Sequence, residues 1–193
     1  TWNPVRGCSR VSAGCTKCYA ERMAARFNGP GQPYEGLARR TETGEARWTG
    51  EVRFIPERLA DPLRWRRPRR IFCNSMSDLF HERLTNEQIA AVFGVMAASP
   101  RHQFQVLTKR PERAVEWFRC VAGLTSDPWT ECHYQALRAE AELDGEETIH
   151  QRSEAAPGRP WPLPNVWLGV SVEDQATADE RIPLLLQCPA AVR

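Results

Sequence analysis

Arg70-Ile71-Phe72-Cys73-Asn74-Ser75-Met76-Ser77-Asp78 is a short apolar run that ends in small polar groups. The same arrangement returns at Phe104-Gln105-Val106-Leu107-Thr108-Lys109-Arg110, and again at Val166-Trp167-Leu168-Gly169-Val170-Ser171-Val172-Glu173-Asp174. Each run has the length and composition of a strand. Helices are predicted after them. Thr85-Asn86-Glu87-Gln88 is a capping box, in which the Thr side chain accepts from the N3 amide while Gln reaches back. The helix it opens carries Ile89, Val92, Phe93 and Met96 on one face and ends before Pro100. Pro111 suits the first turn of the next helix, Asp174 the N-cap of the last, and Pro183 is expected to break or restart that last helix. Strand, polar tip and helix, three times over, predict a parallel α/β architecture. In parallel barrels and open sheets, ligands sit at the carboxyl ends of the strands. If the strands are neighbours, all three polar tips face one mouth.

The flanking segments are less regular. Residues 1–18 are loop-like, with Pro4, Gly7 and Gly14 as breakers, and a helix is expected from about Lys17 to Asn28 before Gly29-Pro30 stops it. Residues 29–50 look like an excursion. Val52-Arg53-Phe54 is a short strand candidate, followed by a helical turn near Glu57–Leu63. Residues 119–164 interrupt the rhythm and are expected to form an insertion, with an acidic helix around Glu131–Leu143 and a stiff return through Pro157, Pro160, Pro162 and Pro164. No internal repeat is seen. The chain starts at Thr1, inside its densest motif, and stops after Cys188-Pro189-Ala190-Ala191-Val192, which has the look of another strand. One α/β domain over 1–193, truncated at both ends, is the expectation.

Composition bounds the function. With 193 residues, 41% hydrophobic and 26% charged, the chain can bury a core and is not broadly disordered. No window approaches the roughly 18 apolar residues of a membrane span and no signal-peptide pattern opens the chain, so a cytoplasmic location is expected. Of 26 basic residues 24 are Arg, through GC-rich codon usage or for phosphate and carboxylate recognition. A formal net charge of +2 gives no global push toward nucleic acid, so such binding needs a local patch. Seven Cys without a secretion signal are better thiols or metal ligands than a disulfide framework.

Three of them stand close together: Cys8-Ser9-Arg10-Val11-Ser12-Ala13-Gly14-Cys15-Thr16-Lys17-Cys18-Tyr19. Two residues between Cys15 and Cys18 let both thiolates ligate one metal centre, and the Gly-bearing loop allows Cys8 to fold back. Structural zinc wants a fourth ligand, which no neighbouring His or Cys supplies. Three thiolates suit a 4Fe–4S cluster that leaves one iron open. Ordinary loop thiols and zinc with a remote fourth ligand are the alternatives.

Together with its continuation Ala20-Glu21-Arg22 and with Trp48-Thr49-Gly50, Pro68–Phe72, Asn74–His81, Leu107–Arg113 and Asn165–Glu173, this motif resembles an uncharacterised phage-associated protein family, across nearly the whole chain except the insertion. The family is similar to radical S-adenosylmethionine enzymes, which hold three cluster cysteines in a loop of a partial (β/α) barrel. Here the first cysteine gap is six residues, not the commoner three, and a Gly-Gly-Glu type motif after the second strand is absent. The resemblance implies that Cys8, Cys15 and Cys18 hold a 4Fe–4S cluster whose open iron binds S-adenosylmethionine. Reductive cleavage would then give a 5′-deoxyadenosyl radical that abstracts a substrate hydrogen. A flavodoxin or ferredoxin would supply the electron, and the substrate would be a nucleotide or nucleic-acid base. Cofactor-binding candidates are the tip residues Asn74, Ser75, Ser77, Asp78, Lys109, Arg110, Ser171 and Glu173. Asp78 or Glu173 would meet amino or ribose groups, and Lys109 or Arg110 the carboxylate.

Weaker signals remain. Arg64-Trp65-Arg66-Arg67-Pro68-Arg69-Arg70 is either a solvated connector or a nucleic-acid contact, with Trp65 stacking. The second function class is therefore a zinc-stapled, non-enzymatic nucleic-acid-binding module. Cys120, Cys132, His133 and His150 are a candidate zinc set within the insertion, although their spacings match no finger pattern. Cys73 is expected to be a buried thiol, His81 either a proton donor or a local hydrogen-bonding group, and Trp2 and Trp167 core residues.

Overall fold

A computed structural model describes residues 1–124, 127–141, 149 and 160–193. In chain order its strands are β1 (Val5–Arg6), β2 (Ala38–Arg40), β3 (Ala46–Trp48), β4 (Arg53–Phe54), β5 (Arg70–Cys73), β6 (Gln103–Thr108) and β7 (Val166–Val170). The α-helices are α1 (Tyr19–Ala24), α2 (Asp61–Arg64), α3 (Asn86–Ala98), α4 (Pro111–Leu124), α5 (Pro128–Ala141) and α6 (Gln175–Leu185).

The three predicted strands pair in sequential order as a parallel sheet, with Cys73 beside Val106 and Val106 beside Leu168. Parallel bridges extend it on both flanks. Trp2 pairs with Cys73 and Gly7 with Ser77 on one side, Trp167 with Val192 on the other. The architecture is mixed α/β with small sheets, none of them closed into a barrel. Alternation along the strands sorts the two faces. Ile71, Cys73, Phe104, Val106, Val166 and Leu168 enter the main core with α3, whereas Phe72, Gln105 and Trp167 are half-buried and Leu107 is exposed.

Both predicted caps form, each as a capping box. Thr85 accepts from the Gln88 amide at 3.3 Å, and Asp174 from the Thr177 amide at 2.8 Å. Pro111 opens α4 as expected. Three expectations change. The first helix is shorter, Tyr19–Ala24. The last runs through Pro183 rather than breaking there, because the proline falls in its final turn, where only the bond to the Asp179 carbonyl is lost. And α3 is buried all round: Ile89 through Ala98 are inaccessible. Gly94 gives the reason, since a Cβ there would stand 2.0 Å from the Cys132 carbonyl oxygen. The sheet covers one side of α3 and α5 the other, as a helix apolar on every side requires.

The segment expected as an insertion thus contributes to the core. Helix α4 passes through residue 119 to Leu124, and Trp129, Cys132, Ala136, Ile149 and Leu163 join the main cluster. Residues 142–143 of the predicted acidic helix and Pro157 lie outside the described residues. The excursion at 29–50 contains the antiparallel hairpin β2–β3, which packs through Ala38 and Ala46 on Ala20 and Ala24 of α1. Among the described residues no helix is long and apolar enough to cross a membrane.

Candidate functional site

The chain reaches Cys8 through Gly7, at φ +92, where a Cβ would stand 2.2 Å from the Glu51 carbonyl oxygen. A side chain is excluded there both by backbone conformation and by space. The loop then makes a 3-10 turn over Ala13–Cys15, and Cys18 caps α1. Its three thiols line one cavity of about 180 Å³ at the carboxyl ends of β5, β6 and β7. Asn74, Ser75, Ser77, Asp78, Lys109, Arg110 and Ser171 line the same cavity. Of the predicted site residues only Glu173 stands behind the wall.

Three ionic clusters hold the wall together. Asp78 accepts from Thr108 Oγ1 at 2.7 Å, from the Phe80 and Lys109 amides at 3.0 and 2.9 Å, and from Arg110 Nη1 at 3.4 Å. Its carboxylate is used up in tying the tip of β5 to that of β6. Arg110, itself buried, also reaches Glu82 at 2.9 Å and Ser9 Oγ at 2.7 Å, and lies 3.9 Å from the Cys8 sulfur. Burial pushes the Cys8 thiol up to about 12, against the opposing pull of Arg110.

Glu173 accepts from Ser12 Oγ at 3.1 Å, pairs with Lys109, and meets Arg181 of α6 at 3.1 Å. Burial opposes its ionisation, but these partners outweigh it and hold the carboxyl below its usual range. Gly14 lies so close that a Cβ would be 2.2 Å from Glu173 Cγ. Buried Glu21 of α1 forms the third cluster. It pairs with Arg10 and accepts the Trp48 amide at 2.7 Å, linking loop, helix and hairpin.

His81 is fully buried. Its Nδ1 accepts the Arg83 amide at 3.2 Å, which leaves the proton on Nε2 to be donated to Ser9 Oγ at 2.9 Å. It acts as a local hydrogen-bonding group for the loop. Asn74 differs from all of these. It takes a left-handed backbone at φ 60, and both polar atoms of its buried carboxamide lack a partner. A buried amide open to a cavity is a ready donor and acceptor for a ligand. Ser75 and Ser77 are turned to the frame, donating to Asn3 Oδ1 at 3.1 Å and to the Val5 carbonyl at 3.0 Å.

Ser9, Arg10, Glu21, Trp48 and Thr108 also build the site and are not among the predicted residues. Only the Thr108 tip carried a sequence signal, since the other four act across loop and hairpin contacts without periodicity.

Away from the cavity, Cys73 is buried as expected and its thiol is pushed well up by burial, and Trp2 is core. Trp167 is half-buried. Cys120 takes a contact from Asn86 Nδ2 at 3.3 Å, Cys132 faces α3, and Trp129 stacks on His133 at 5.2 Å; His150 lies outside the described residues. Among the described residues no three or more His, Cys, Asp or Glu side chains are arranged to hold a single metal ion. The arginine run lies at the start of β5, the opposite end of the sheet from the cavity, where Arg69 sits over the Trp65 ring at 4.9 Å.

No curated protein and no solved structure matches the chain. The family model described as "Protein of unknown function (DUF5131)" matches residues 1–193, and the chain belongs to that family.

Proposed function

We propose that the cavity is the reaction site of a radical S-adenosylmethionine enzyme, in a phage-associated group, acting on a nucleotide or nucleic-acid base. The observation that carries this reading is the meeting of Cys8, Cys15 and Cys18 with the orphaned Asn74 carboxamide in one cavity at the strand ends. Three thiols that line one cavity suit a cluster in which each thiolate holds a separate iron. When bound, a 4Fe–4S cluster with S-adenosylmethionine on its open iron supplies one-electron cleavage of the sulfonium and hydrogen-atom abstraction from the substrate. The protein groups orient and shelter that chemistry. Arg110 places positive charge beside Cys8 and so favours its thiolate. Asn74 offers a donor and an acceptor at the tip of β5, and Ser171 a hydroxyl at the tip of β7. The sequential parallel order of β5, β6 and β7, with parallel bridges on both flanks, supports a partial (β/α) barrel.

The test is anaerobic reconstitution with iron and sulfide, followed by absorption and low-temperature EPR with and without S-adenosylmethionine. The expected result is a 4Fe–4S signal that shifts when the cofactor is added and is lost in Cys8→Ala, Cys15→Ala or Cys18→Ala. A colourless protein that retains one zinc and ignores the cofactor would overturn the reading in favour of a metal-stapled binding module.

A further inference from the structure

We infer that the groove beside the cysteine cavity binds the phosphate backbone of a single-stranded nucleic acid, so that the strand presents one of its bases to the cavity. The inference rests on the cavity being the reaction site, and deepens that reading by making the substrate a polymer.

The groove, about 590 Å³, runs between α1 and the β2–β3 hairpin and is lined by Arg10, Arg22, Arg26 and Arg40. Cys18 and Tyr19 line both the groove and the cavity, so the two spaces are neighbours that meet at these residues. Tyr19, Arg22 and Arg26 stand at i, i+3 and i+7, on one face of α1 and the turn that prolongs it, where the Arg26 amide bonds the Met23 carbonyl at 3.1 Å. Arg22 and Arg26 are exposed, and neither side chain has a hydrogen bond or ion pair among the described residues. The two carboxylates of the groove, Glu21 and Glu45, are both engaged by Arg10. A chain of nearly balanced charge therefore has a locally basic strip, built from the side chain whose fork matches phosphate oxygens.

Charge alone would also suit an acidic protein. The aromatics favour a strand. Tyr19 is 54% exposed at the junction, held by its hydroxyl donating to the Ser75 carbonyl at 2.9 Å, and Phe27 beyond Arg26 is 43% exposed. Arginines interleaved with exposed rings are the means by which proteins grip single strands, phosphates on the cations and bases on the rings. A base must leave its stack to be acted on, and a cavity next to the groove is within reach of one turned out past Tyr19.

The probe is a fluorescein-labelled single strand of roughly 16 nucleotides, in DNA and RNA versions, titrated by anisotropy into the reconstituted full chain at several salt concentrations. Arg22→Glu/Arg26→Glu is expected to weaken binding at least about tenfold and to reduce the log–log salt slope by about 1.4, two phosphate contacts' worth. Arg22→Gln/Arg26→Gln should fall between. Arg66→Glu/Arg67→Glu, at the far end of the sheet, should bind as wild type, and free mononucleotides should not compete. No binding by wild type, or loss only in the Arg66/Arg67 variant, would overturn the inference. So would reversals that abolish reduction by a flavodoxin while leaving strand binding intact, since the groove would then belong to the electron donor. Cluster absorption is recorded on the same samples: strand binding without a cluster supports the groove and removes the cofactor reading, and a cluster without strand binding does the reverse.

Discussion

His81, Asp78 and Arg110 show how tip residues are divided between frame and cavity. Buried in the loop's anchorage and facing Arg110, His81 is held down to about 4 against an ordinary 6.5, burial being the larger cause. Between those values the unfolded chain binds a proton that the native imidazole refuses, so stability is complete above about pH 6.5 and drains away as pH falls toward 4. The stability advantage of wild type over His81→Gln should therefore shrink through that window, measured by urea midpoints across the range. An advantage that grows on acidification would refute the neutral assignment. The sequence made these positions visible as polar groups at strand ends. It could not reveal that Asp78 and Arg110 would satisfy one another, because that pairing depends on β5 and β6 lying side by side, 32 residues apart in the chain. Asn74 is the buried tip residue whose carboxamide stays unspent.

At the scale of elements, strands and capped helices were legible because their signals are local: a short apolar run, a Thr-x-x-Gln box, a proline in a first turn. The hairpin β2–β3 was not. Its inward residues are alanines, too small to mark an alternating strand, and they suffice because α1 presents Ala20 and Ala24 in return. Nor was the covering of α3 by α5 legible, since a periodicity marks one buried face and cannot say what meets the other. Gly94 is the point of closest approach. Gly94→Ala should lower the denaturant midpoint by about 1–3 kcal/mol of stability through overpacking, against the roughly 1 kcal/mol that alanine gains in helix propensity. A raised midpoint would mean that α5 does not seat on this backbone.

For the whole molecule, the cavity exists only where distant parts of the chain are latched together. Glu173 is the latch with the widest reach, joining the cysteine loop at Ser12 and Gly14 to the tip of β6 and to α6. Glu173→Ala is expected to cost about 1–2 kcal/mol, as for partly exposed charge-assisted bonds. It should also speed limited tryptic cleavage at Lys17 within the freed loop. Cleavage at the wild-type rate would show that the loop is held by its other contacts alone.

The offset of 161 positions between Ser12 and Glu173 also sets an order in time. A ribosome adding about 5–20 residues each second exposes the three thiols for roughly ten to thirty seconds before the last wall of their cavity has been made. Throughout translation the nascent loop stands bare to oxidants and stray metal ions, and whatever occupies the cysteines in the finished protein must either arrive after synthesis or survive the closing of the fold around it.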